Sequence, residues 1–404
     1  MTYLPLANLL HHKLRSALSA IGIGIGICML VTLSGLSRGS LYEVADRWEG
    51  VDADLFAYPD IWEGSITSLS GVGLPDKYAD AMLAEHGDIV QDVVPVFLWQ
   101  VRLGGQGQLA AGVDTGCFAA LTGGRVLIEG RVFDPDGRFA SWLEGRLLGP
   151  SAGGDEPVAI SPADLADPRH RGLEMVVDAR LAKAAGITLN QTVSMAGHDF
   201  SVVGIVPAGG LSRVFMPRRT AQYLFGSGDI TKSTLLFVKL RKGIDPDLAA
   251  RELHRLGVEV VQISQFRHML ENQFGIMFVY VDAVNAVAIA IAFLFIMITL
   301  YTMVLQRTRE IAILKSSGAS NAFIVRQVLA ESLMLTGVGT AAGIAMSFAA
   351  GAIAEAFFPL LTVRIGVHWV AIGVAVAAIG AIVSACYPAW RAARIDMVEA
   401  LSWE

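Results

Sequence analysis

Several short stretches of the 404-residue sequence carry residue types that could bind a nucleotide. A phosphate-binding ATPase loop requires the spacing G-x-x-x-x-G-K-[ST], and the closest stretch, Gly226 to Ser233, has no glycine directly before Lys232. The stretch from Gly337 to Gly343 resembles a dinucleotide-binding glycine loop, but it misses that spacing by one residue and lies within an apolar run. Neither stretch predicts a nucleotide site.

Metal and acid–base chemistry find no better support in the spacing of histidines and carboxylates. His11 and His12 are adjacent, so they point to different faces of a helix, and the other histidines show no metal-ligand spacing. Asp134 and Asp136 belong to an Asp-Pro-Asp-Gly sequence, which is typical of a turn. The sequence therefore predicts no catalytic residue, no metal site, no bound cofactor and no enzymatic activity of this chain.

Asp282 and Glu331 stand inside long apolar runs, where a charge is costly and usually faces protein or water. Asp282 is expected to lie in a stalk beyond the bilayer. Glu331 falls about one turn inside an apolar run, and we expect it to pair with Arg326 or with a basic group at the end of the fourth span. A transport role for Glu331 is the alternative.

The elements that carry these residues are mostly apolar. Hydrophobic residues make up 53% of the chain and charged residues 17%, against roughly 25% charged in a typical soluble protein. Four runs are long enough to cross a bilayer, which needs about 20 residues. The first is also too long for the apolar part of a signal peptide. A net charge of −6 argues against nucleic acid as a partner.

Basic residues set the expected orientation. Lys13 and Arg15 precede the first span, Arg309 and Lys315 lie between the second and third, and Arg391 follows the fourth. We expect the protein to lie in the bacterial cytoplasmic (inner) membrane. The positive-inside rule places both termini and this loop on the cytoplasmic side. The predicted class is an α-helical membrane protein with four transmembrane helices and an α+β extracytoplasmic domain.

This interpretation divides the chain into nine segments. They are a cytoplasmic interfacial helix (1–16), transmembrane helix 1 (17–39), the extracytoplasmic domain (40–273), a stalk with transmembrane helix 2 (274–306), a cytoplasmic loop (307–327), transmembrane helix 3 (328–358), an external turn (359–366), transmembrane helix 4 (367–390) and a cytoplasmic tail (391–404). Strand and helix patterns predict a mixed α/β subdomain from 51–115 and 230–265, interrupted by a β-rich insertion at 116–225. We expect a loop at 133–172, and a last helix that runs from Gln265 into the membrane.

Small residues recur four apart in the spans, a spacing that allows two helices to approach closely. The pairs Gly22 and Gly26, and Gly339 and Gly343, are the predicted packing positions.

The loop between the second and third spans predicts a short amphipathic helix. Ile311 and Leu314 share one side, charged residues surround them, and Gly318 is a suitable helix stop. On these grounds alone, a docking element and a solvated connector are equally good interpretations.

Three stretches closely resemble signatures of the FtsX-like, MacB-type ABC transporter permeases. Residues 307–320 read RTREIAILKSSGAS, residues 13–23 read KLRSALSAIGI, and residues 387–401 read YPAWRAARIDMVEAL. In the last stretch Met397 stands where that family usually has proline. Within the extracytoplasmic domain, Ile128–Glu129–Gly130–Arg131 and Val203–Gly204–Ile205 are also similar to the family.

The resemblance implies that the loop couples the permease to an ATPase. The residues it assigns to coupling are Arg307, Arg309, Glu310, Ile311, Leu314, Lys315, Gly318, Ala319 and Ser320. It also implies a separate ABC ATPase subunit, a homodimer or a heterodimer with a sister permease, and a periplasmic adaptor as a further candidate partner. MacB carries an ATPase at its N-terminus, and we expect none in this chain because its first span begins so early.

Two functions are consistent with this family. The first is mechanotransmission, in which ATP hydrolysis moves the outer domain to export or extract a lipoprotein, peptide, amphiphile or small toxic molecule. The alternative is an FtsX-like signalling permease that controls a cell-wall hydrolase and moves no substrate. The large outer domain favours export, because FtsX-type outer domains are much smaller.

Overall fold

The computed structural model describes residues 13–60, 73–103, 105–133, 173–226, 229–306, 308–358 and 360–394. Four stretches that carry predictions lie outside these residues: most of the interfacial helix at 1–16, the loop at 134–172, Arg307, and the closing motif beyond residue 394. The chain divides into two compact units. The helical unit comprises Met1–Leu41 and Phe274–Glu404, and the α/β unit comprises Tyr42–Gln273.

The elements follow the chain in this order. The helices are α1 (Lys13–Glu49), α2 (Lys77–Glu85), α3 (Phe118–Leu121), α4 (Ala179–Ala185), α5 (Arg218–Phe225), α6 (Pro246–His254), α7 (Phe266–Gln273), α8 (Gly275–Gln306), α9 (Thr308–Ser316), α10 (Asn321–Phe357) and α11 (Val367–Ala393). The strands are β1 (Leu55–Pro59), β2 (Leu74–Pro75), β3 (Val90–Leu103), β4 (Gln106–Val113), β5 (Glu129–Gly130), β6 (Glu174–Asp178), β7 (Thr192–Met195), β8 (His198–Val206), β9 (Val214–Pro217), β10 (Lys232–Ser233), β11 (Leu235–Leu240) and β12 (Val258–Gln262).

Among the described residues, α1, α8, α10 and α11 are long and apolar enough to cross a membrane. Apolar side chains from all four helices pack together in one shared core, which buries the faces that the helices turn toward one another. The members of this core are Ile23, Ile27, Leu30, Val31, Ile296, Leu300, Leu335, Ala377 and Ala385.

Several helix boundaries differ from the prediction. Helix α10 begins at Asn321, inside the predicted loop at 307–327, because Ser320 caps it there. Helix α1 continues past residue 39 to Glu49, because residues 40–49 contain no glycine or proline to stop it and Gly50 follows directly. The last helix of the α/β unit does not run unbroken into the second span. It is interrupted at Phe274, next to Gly275, a residue that disfavours helix continuation.

Ten strands of the α/β unit form one sheet in the described residues, in the order β12-β1-β11-β3-β4-β9-β6-β8-β5, with β7 paired to β8. Strand β11 lies inside the sheet, and its sequence LLFVKL is almost entirely buried and apolar, as a strand covered on both faces requires. The predicted insertion at 116–225 extends this same sheet, since β9 pairs in parallel with β4. That segment also contains helices α3, α4 and α5, which the β-rich prediction did not include.

The two family-like stretches of the α/β unit pair with each other. Gly130 of β5 lies opposite Gly204 of β8, and the amide of Arg131 donates to the carbonyl of Val203. A Cβ on Gly204 would lie 2.3 Å from the carbonyl oxygen of Arg131, so the backbones approach too closely for another side chain.

The end of α1 enters the core of the α/β unit. Trp48 is 2% exposed and stacks on Phe266 with ring centres 4.2 Å apart. Its edge also meets Phe56 and Phe237 at 5.4 and 5.6 Å. Arg267 of α7 forms ion pairs with Asp46 and Glu49 of α1 at 2.8 and 3.1 Å.

A mostly buried group of charges, termed the Arg47 cluster, fixes the same end of α1. It comprises Glu43, Arg47, Asp178, Arg180 and Arg213. Arg47 lies 2.9 Å from Glu43 and 3.4 Å from Asp178. Arg180 and Arg213 each approach Glu43 at 3.2 Å. Burial, together with the charge of Arg47, lowers the pKa of Arg213. Asp178 is fully buried and also caps α4 by accepting from the amide of Leu181 at 2.6 Å.

Candidate functional site

Helix α9 and the turn after it join α8 to α10. The turn has the hydrogen bonds of a Schellman motif: the Gly318 amide donates to the Lys315 carbonyl, and the Ala319 amide donates to the Leu314 carbonyl. Gly318 has a φ of +95°, a conformation that side chains disfavour. Ser320 then caps α10 by accepting from the amide of Phe323 at 3.2 Å. The helix stop predicted at Gly318 is confirmed.

The inner face of α9 is apolar and packed. Ala312 is completely buried, and Ile311, Leu314 and Ala319 pack against a core formed by other helices of the helical unit. That core consists of Val304, Ile324, Val328, Ala389 and Ala392. Ile311 and Leu314 therefore hold the helix in place, which fixes the direction of its opposite face.

Lys315 adds a polar contact to this packing. Its Nζ donates to the carbonyl of Ala393, at the last turn of α11, over 2.9 Å. A cation there satisfies a carbonyl that the helix leaves unpaired and complements the helix dipole. Lys315 thus joins α9 to the end of the fourth long helix.

The outer face of α9 carries exposed side chains of mixed character. Arg309, Glu310, Ile313, Ser316 and Ser317 are exposed, and their spacing of three and four places them on one side of the helix. Ile313 is 50% exposed. An exposed aliphatic side chain flanked by charges is suited to a protein interface, where an apolar anchor has a polar rim.

The structure therefore divides the predicted coupling residues between two faces. Arg309 and Glu310 lie on the exposed face, whereas Ile311 and Leu314 lie on the packed one. Arg307 lies outside the described residues. Ile313 was missed, although it follows Arg309 by four residues and Glu310 by three, and that spacing alone would have placed it beside them.

The predicted packing glycines lie where helices approach closely. A Cβ on Gly26 would lie 3.0 Å from the Cβ of Ala292 in α8, and one on Gly22 would contact Phe295. A Cβ on Gly343 would lie 2.6 Å from the carbonyl oxygen of Gly24. Gly339 is equally close to α1, where a Cβ would lie 2.8 Å from the Cβ of Ile23. These glycines bring α1 near both α8 and α10.

Glu331 lies in the interior of the helical unit, where it is 6% exposed. The neighbouring Ser332 donates to the carbonyl of Ala381 in α11 at 2.9 Å. Both residues lie on the side of α10 that faces other protein, which agrees with the usual position of an ionisable residue in a span. Its pairing with Arg326 stays a prediction.

Two features could suggest a nucleophile. Residues Gly35, Ser37 and Gly39 have the spacing G-x-S-x-G, but they lie within α1 and not on the strand-to-helix turn that this motif requires. Both glycines contact the backbone of Arg364. Burial, with Asp114 and Asp92, raises the pKa of the Cys117 thiol, which keeps it protonated and poorly nucleophilic. No group of three metal-ligating side chains occurs in the described part of the chain.

Two sequence-family models match the chain. The MacB-like periplasmic core domain matches residues 16–256, and the FtsX-like permease C-terminal region matches residues 283–397. The chain belongs to the MacB/FtsX-like ABC permeases. It is a membrane protein with four spans and a periplasmic domain, as the sequence predicted.

Two relatives are similar to half or more of this chain. The macrolide export ATP-binding/permease protein MacB of Escherichia coli is 25% identical over 423 aligned positions, which cover 97% of this chain and 59% of that protein. The uncharacterized ABC transporter permease YknZ of Bacillus subtilis is 24% identical over 235 positions, covering 54% of this chain and 57% of that protein. This permease chain therefore spans less than two thirds of the length of these relatives.

Two solved domains of related permeases also match. The periplasmic region of MacB from Actinobacillus actinomycetemcomitans aligns at 15% identity with a TM-score of 0.36, covering 55% of this chain and 95% of that one. The extracellular domain of the ABC-type transporter YknZ from Gram-positive bacteria aligns at 14% identity with a TM-score of 0.33, covering 52% and 98%.

Proposed function

We propose that this permease transmits movement from an ABC ATPase on a separate polypeptide to its own periplasmic domain, and thereby exports or extracts a substrate. The ATPase binds the outer face of α9. The permease acts as a homodimer or with a sister permease, and a periplasmic adaptor is a further partner. The substrate class is a lipoprotein, a peptide, an amphiphile or a small toxic molecule such as the macrolides named for the MacB relatives.

The exposed face of α9 carries this proposal. The inner side of α9 is packed, a Schellman turn fixes its end, and Lys315 binds the end of α11. A solvated connector would need none of these contacts. Such support holds Arg309, Glu310 and Ile313 in one orientation, and a preorganised surface loses less entropy when a partner binds. The rigidity of the segment favours docking over simple connection.

The periplasmic domain favours export over signalling. The MacB-like core domain match covers most of the α/β unit, so a large folded body is available outside the bilayer to act on a substrate. An FtsX-like signalling role remains the alternative function. A transport assay distinguishes the two functions. Export requires substrate movement that depends on ATP, whereas signalling requires only activation of a hydrolase.

Charge reversal on the outer face of α9 tests ATPase binding. Glu310→Lys replaces a side chain exposed to the partner with one of opposite charge, and Ile313→Ser removes the apolar anchor. In a purified complex with the cognate ATPase, we expect each variant to reduce ATPase binding at least tenfold, which corresponds to about 1.4 kcal/mol. Melting temperature should be unchanged, because neither side chain belongs to the packed core.

Glu85→Lys is the matched control, since Glu85 is an exposed glutamate in the last turn of α2 and lies in the other unit. It should leave ATPase binding unchanged. Normal ATPase binding by both Glu310→Lys and Ile313→Ser would show that α9 is only a connector.

Orientation is part of the same proposal: both termini and α9 lie in the cytoplasm. A reporter inserted after Ser317 should be active only in the cytoplasm, and one inserted within residues 134–172 only outside it. An external reporter signal after Ser317 would reverse the orientation and remove the access of an ATPase to α9.

A further inference from the structure

Arg38 of α1 contacts two other long helices with a single side chain. Its Nη2 donates to Asp282 of α8 over 3.0 Å. Its guanidinium carbon lies 4.8 Å from the ring centre of Trp369 in α11 and 5.2 Å from that of Phe278 in α8. Phe278 and Asp282 are four residues apart, so one face of α8 presents both an aromatic ring and a carboxylate to the same arginine.

The backbone of α1 holds this arginine in place. Gly35 and Gly39 flank it, and a Cβ on Gly39 would lie 2.9 Å from the amide nitrogen of Arg364. That amide donates to the carbonyl of Gly35 over 3.2 Å, and the Ser40 hydroxyl donates to the carbonyl of Thr362. The connection between α10 and α11 therefore lies directly on α1. The segment of α1 from Gly35 to Ser40 therefore meets α8, α11 and the connection between α10 and α11 within six residues.

The contacts of Arg38 are weak enough to break and form again. The Asp282 side chain is 55% exposed and that of Arg38 25%, and ion pairs at such exposure contribute little. Within the described residues, the buried Nε of Arg38 has no hydrogen-bond acceptor, so the guanidinium is incompletely satisfied. In the Arg47 cluster, by contrast, Arg47 and Arg213 each pair with both Glu43 and Asp178. Separation of Arg38 from Asp282 is thus much easier than disruption of that cluster.

Helix α8 connects this site to α9. It runs without interruption from Gly275 to Gln306, and α9 begins at Thr308. A straight helix of 32 residues is roughly 48 Å long, so displacement at one end reaches the other. Phe278 and Asp282 lie in the first turns of α8, at the end opposite α9.

We propose that Arg38 is a latch, which we define as its ion pair with Asp282 and its contacts with Phe278 and Trp369. The closed latch holds α1, α8 and α11 together at one end of the helical unit in the resting state. Movement of α8 that follows ATP binding at the partner must open it. This inference rests on the proposed function, in which α8 transmits movement from α9.

The latch is tested by ATP turnover of the resting complex. Arg38→Gln and Asp282→Asn each remove the ion pair while nearly preserving side-chain size. We expect each variant to raise substrate-free ATP turnover by two- to fivefold, because α8 can then move without first breaking the ion pair. The double variant should show no larger increase than Arg38→Gln alone, since both changes break the same contact.

Tyr280→Leu is the matched control, because Tyr280 lies between the two latch residues of α8 but is 70% exposed. It should leave turnover unchanged. Trp369→Leu removes only the aromatic contact and should give a smaller increase than Arg38→Gln. Unchanged turnover in both single latch variants, or increases that multiply in the double variant, would overturn the proposal.

The latch and the proposed function can fail separately. Melting temperatures of the purified variants show whether each has folded, and Asp282→Asn provides a near-isosteric variant if Arg38→Gln is unstable. Wild-type ATPase binding with unchanged turnover refutes the latch alone. Normal ATPase binding by the α9 variants refutes the docking of the ATPase on α9, on which the proposed function rests, whatever the latch variants show.

Discussion

Helix α1 is held by two different kinds of contact along its length. Around Gly24 and Gly26 it approaches α10 and α8, and backbone and small side chains meet there without charge. In the α/β unit its last turns are held by Glu43 and Arg47 in a buried ion network and by Trp48 in an aromatic cluster. The first kind of contact depends on shape, and the second on the position of individual charges.

The difference follows from the surroundings of each segment. In hydrocarbon, helices gain little from hydrophobic association, so close packing of small residues becomes the main attraction. In the α/β unit the same helix is surrounded by a folded domain that supplies partners for each charge. A buried charge there is tolerated only while its partners are present. Shape contacts should therefore respond to added volume, and charge contacts to loss of a partner.

The largest expected effect is loss of the charge contact. Arg47→Met removes the cation nearer to the buried Asp178 and leaves it the longer ion pair with Arg213, at 3.9 Å. Removal of one member of a buried ion network typically destabilises by about 3–5 kcal/mol. Denaturation of the full chain in detergent measures the free energy of unfolding. Arg180→Met is the control: Arg180 is 40% exposed, and its loss should cost less than about 1 kcal/mol. Equal losses would contradict the distinction.

Alkaline pH tests the sensitivity of the α/β unit to ionisation. Burial, with smaller contributions from Glu259 and Asp60, raises the pKa of Tyr58 to about 12. A tyrosine in the unfolded chain ionises near pH 10, so the unfolded state gains stability as pH rises from about 10 to 12. The folded protein should lose about 2–3 kcal/mol over that range through Tyr58.

Tyr58→Phe should remove this part of the alkaline loss and leave stability near neutral pH less affected. Parallel denaturation curves at pH 9 and pH 12 isolate it, because other groups titrate equally in both proteins. Equal alkaline losses in the variant and the native protein would show that Tyr58 titrates normally.

The smallest expected effect concerns the shape contact. Gly343→Ala places a methyl group 2.6 Å from the carbonyl oxygen of Gly24, so α10 must move away from α1. Overpacking of this kind costs about 1–3 kcal/mol. Gly337→Ala is matched in chemistry and helix, yet its Cβ meets nothing within 4 Å, and it should be neutral or slightly stabilising. Thermal unfolding of both variants decides, and equal melting temperatures would contradict the close approach.

Sequence patterns predicted the secondary-structure elements of this protein better than the contacts between residues distant in sequence. The apolar runs, the strands of the α/β unit and the helix stop at Gly318 follow from local composition and periodicity. Glu43 and Arg47 have the i, i+4 spacing of an ordinary exposed helix pair. Their burial depends on Asp178 and Arg213, which are distant in sequence, and no local pattern contains that information.

The candidate site shows the same limit. The motif at 307–320 identified α9, but it did not indicate which face of the helix is exposed. Ile311 and Ile313 are both aliphatic, so either could have belonged to the packed face. The packing of Ala312 decides which one is exposed. Similarly, Asp282 was expected to be an ordinary stalk residue, and its contact with Arg38 depends on how α1 and α8 meet.

The position of β1 has a consequence for biosynthesis. This strand is synthesised soon after α1, but its two neighbours in the sheet are β11 and β12, which come near the end of the α/β unit. Until residues 235–262 have followed, the apolar sequence LFAYP has no strand to pair with on either edge. Late pairing of distant strands is slow and leaves aggregation-prone edges exposed. The growing chain therefore has to be kept from associating with its neighbours for most of the synthesis of this domain.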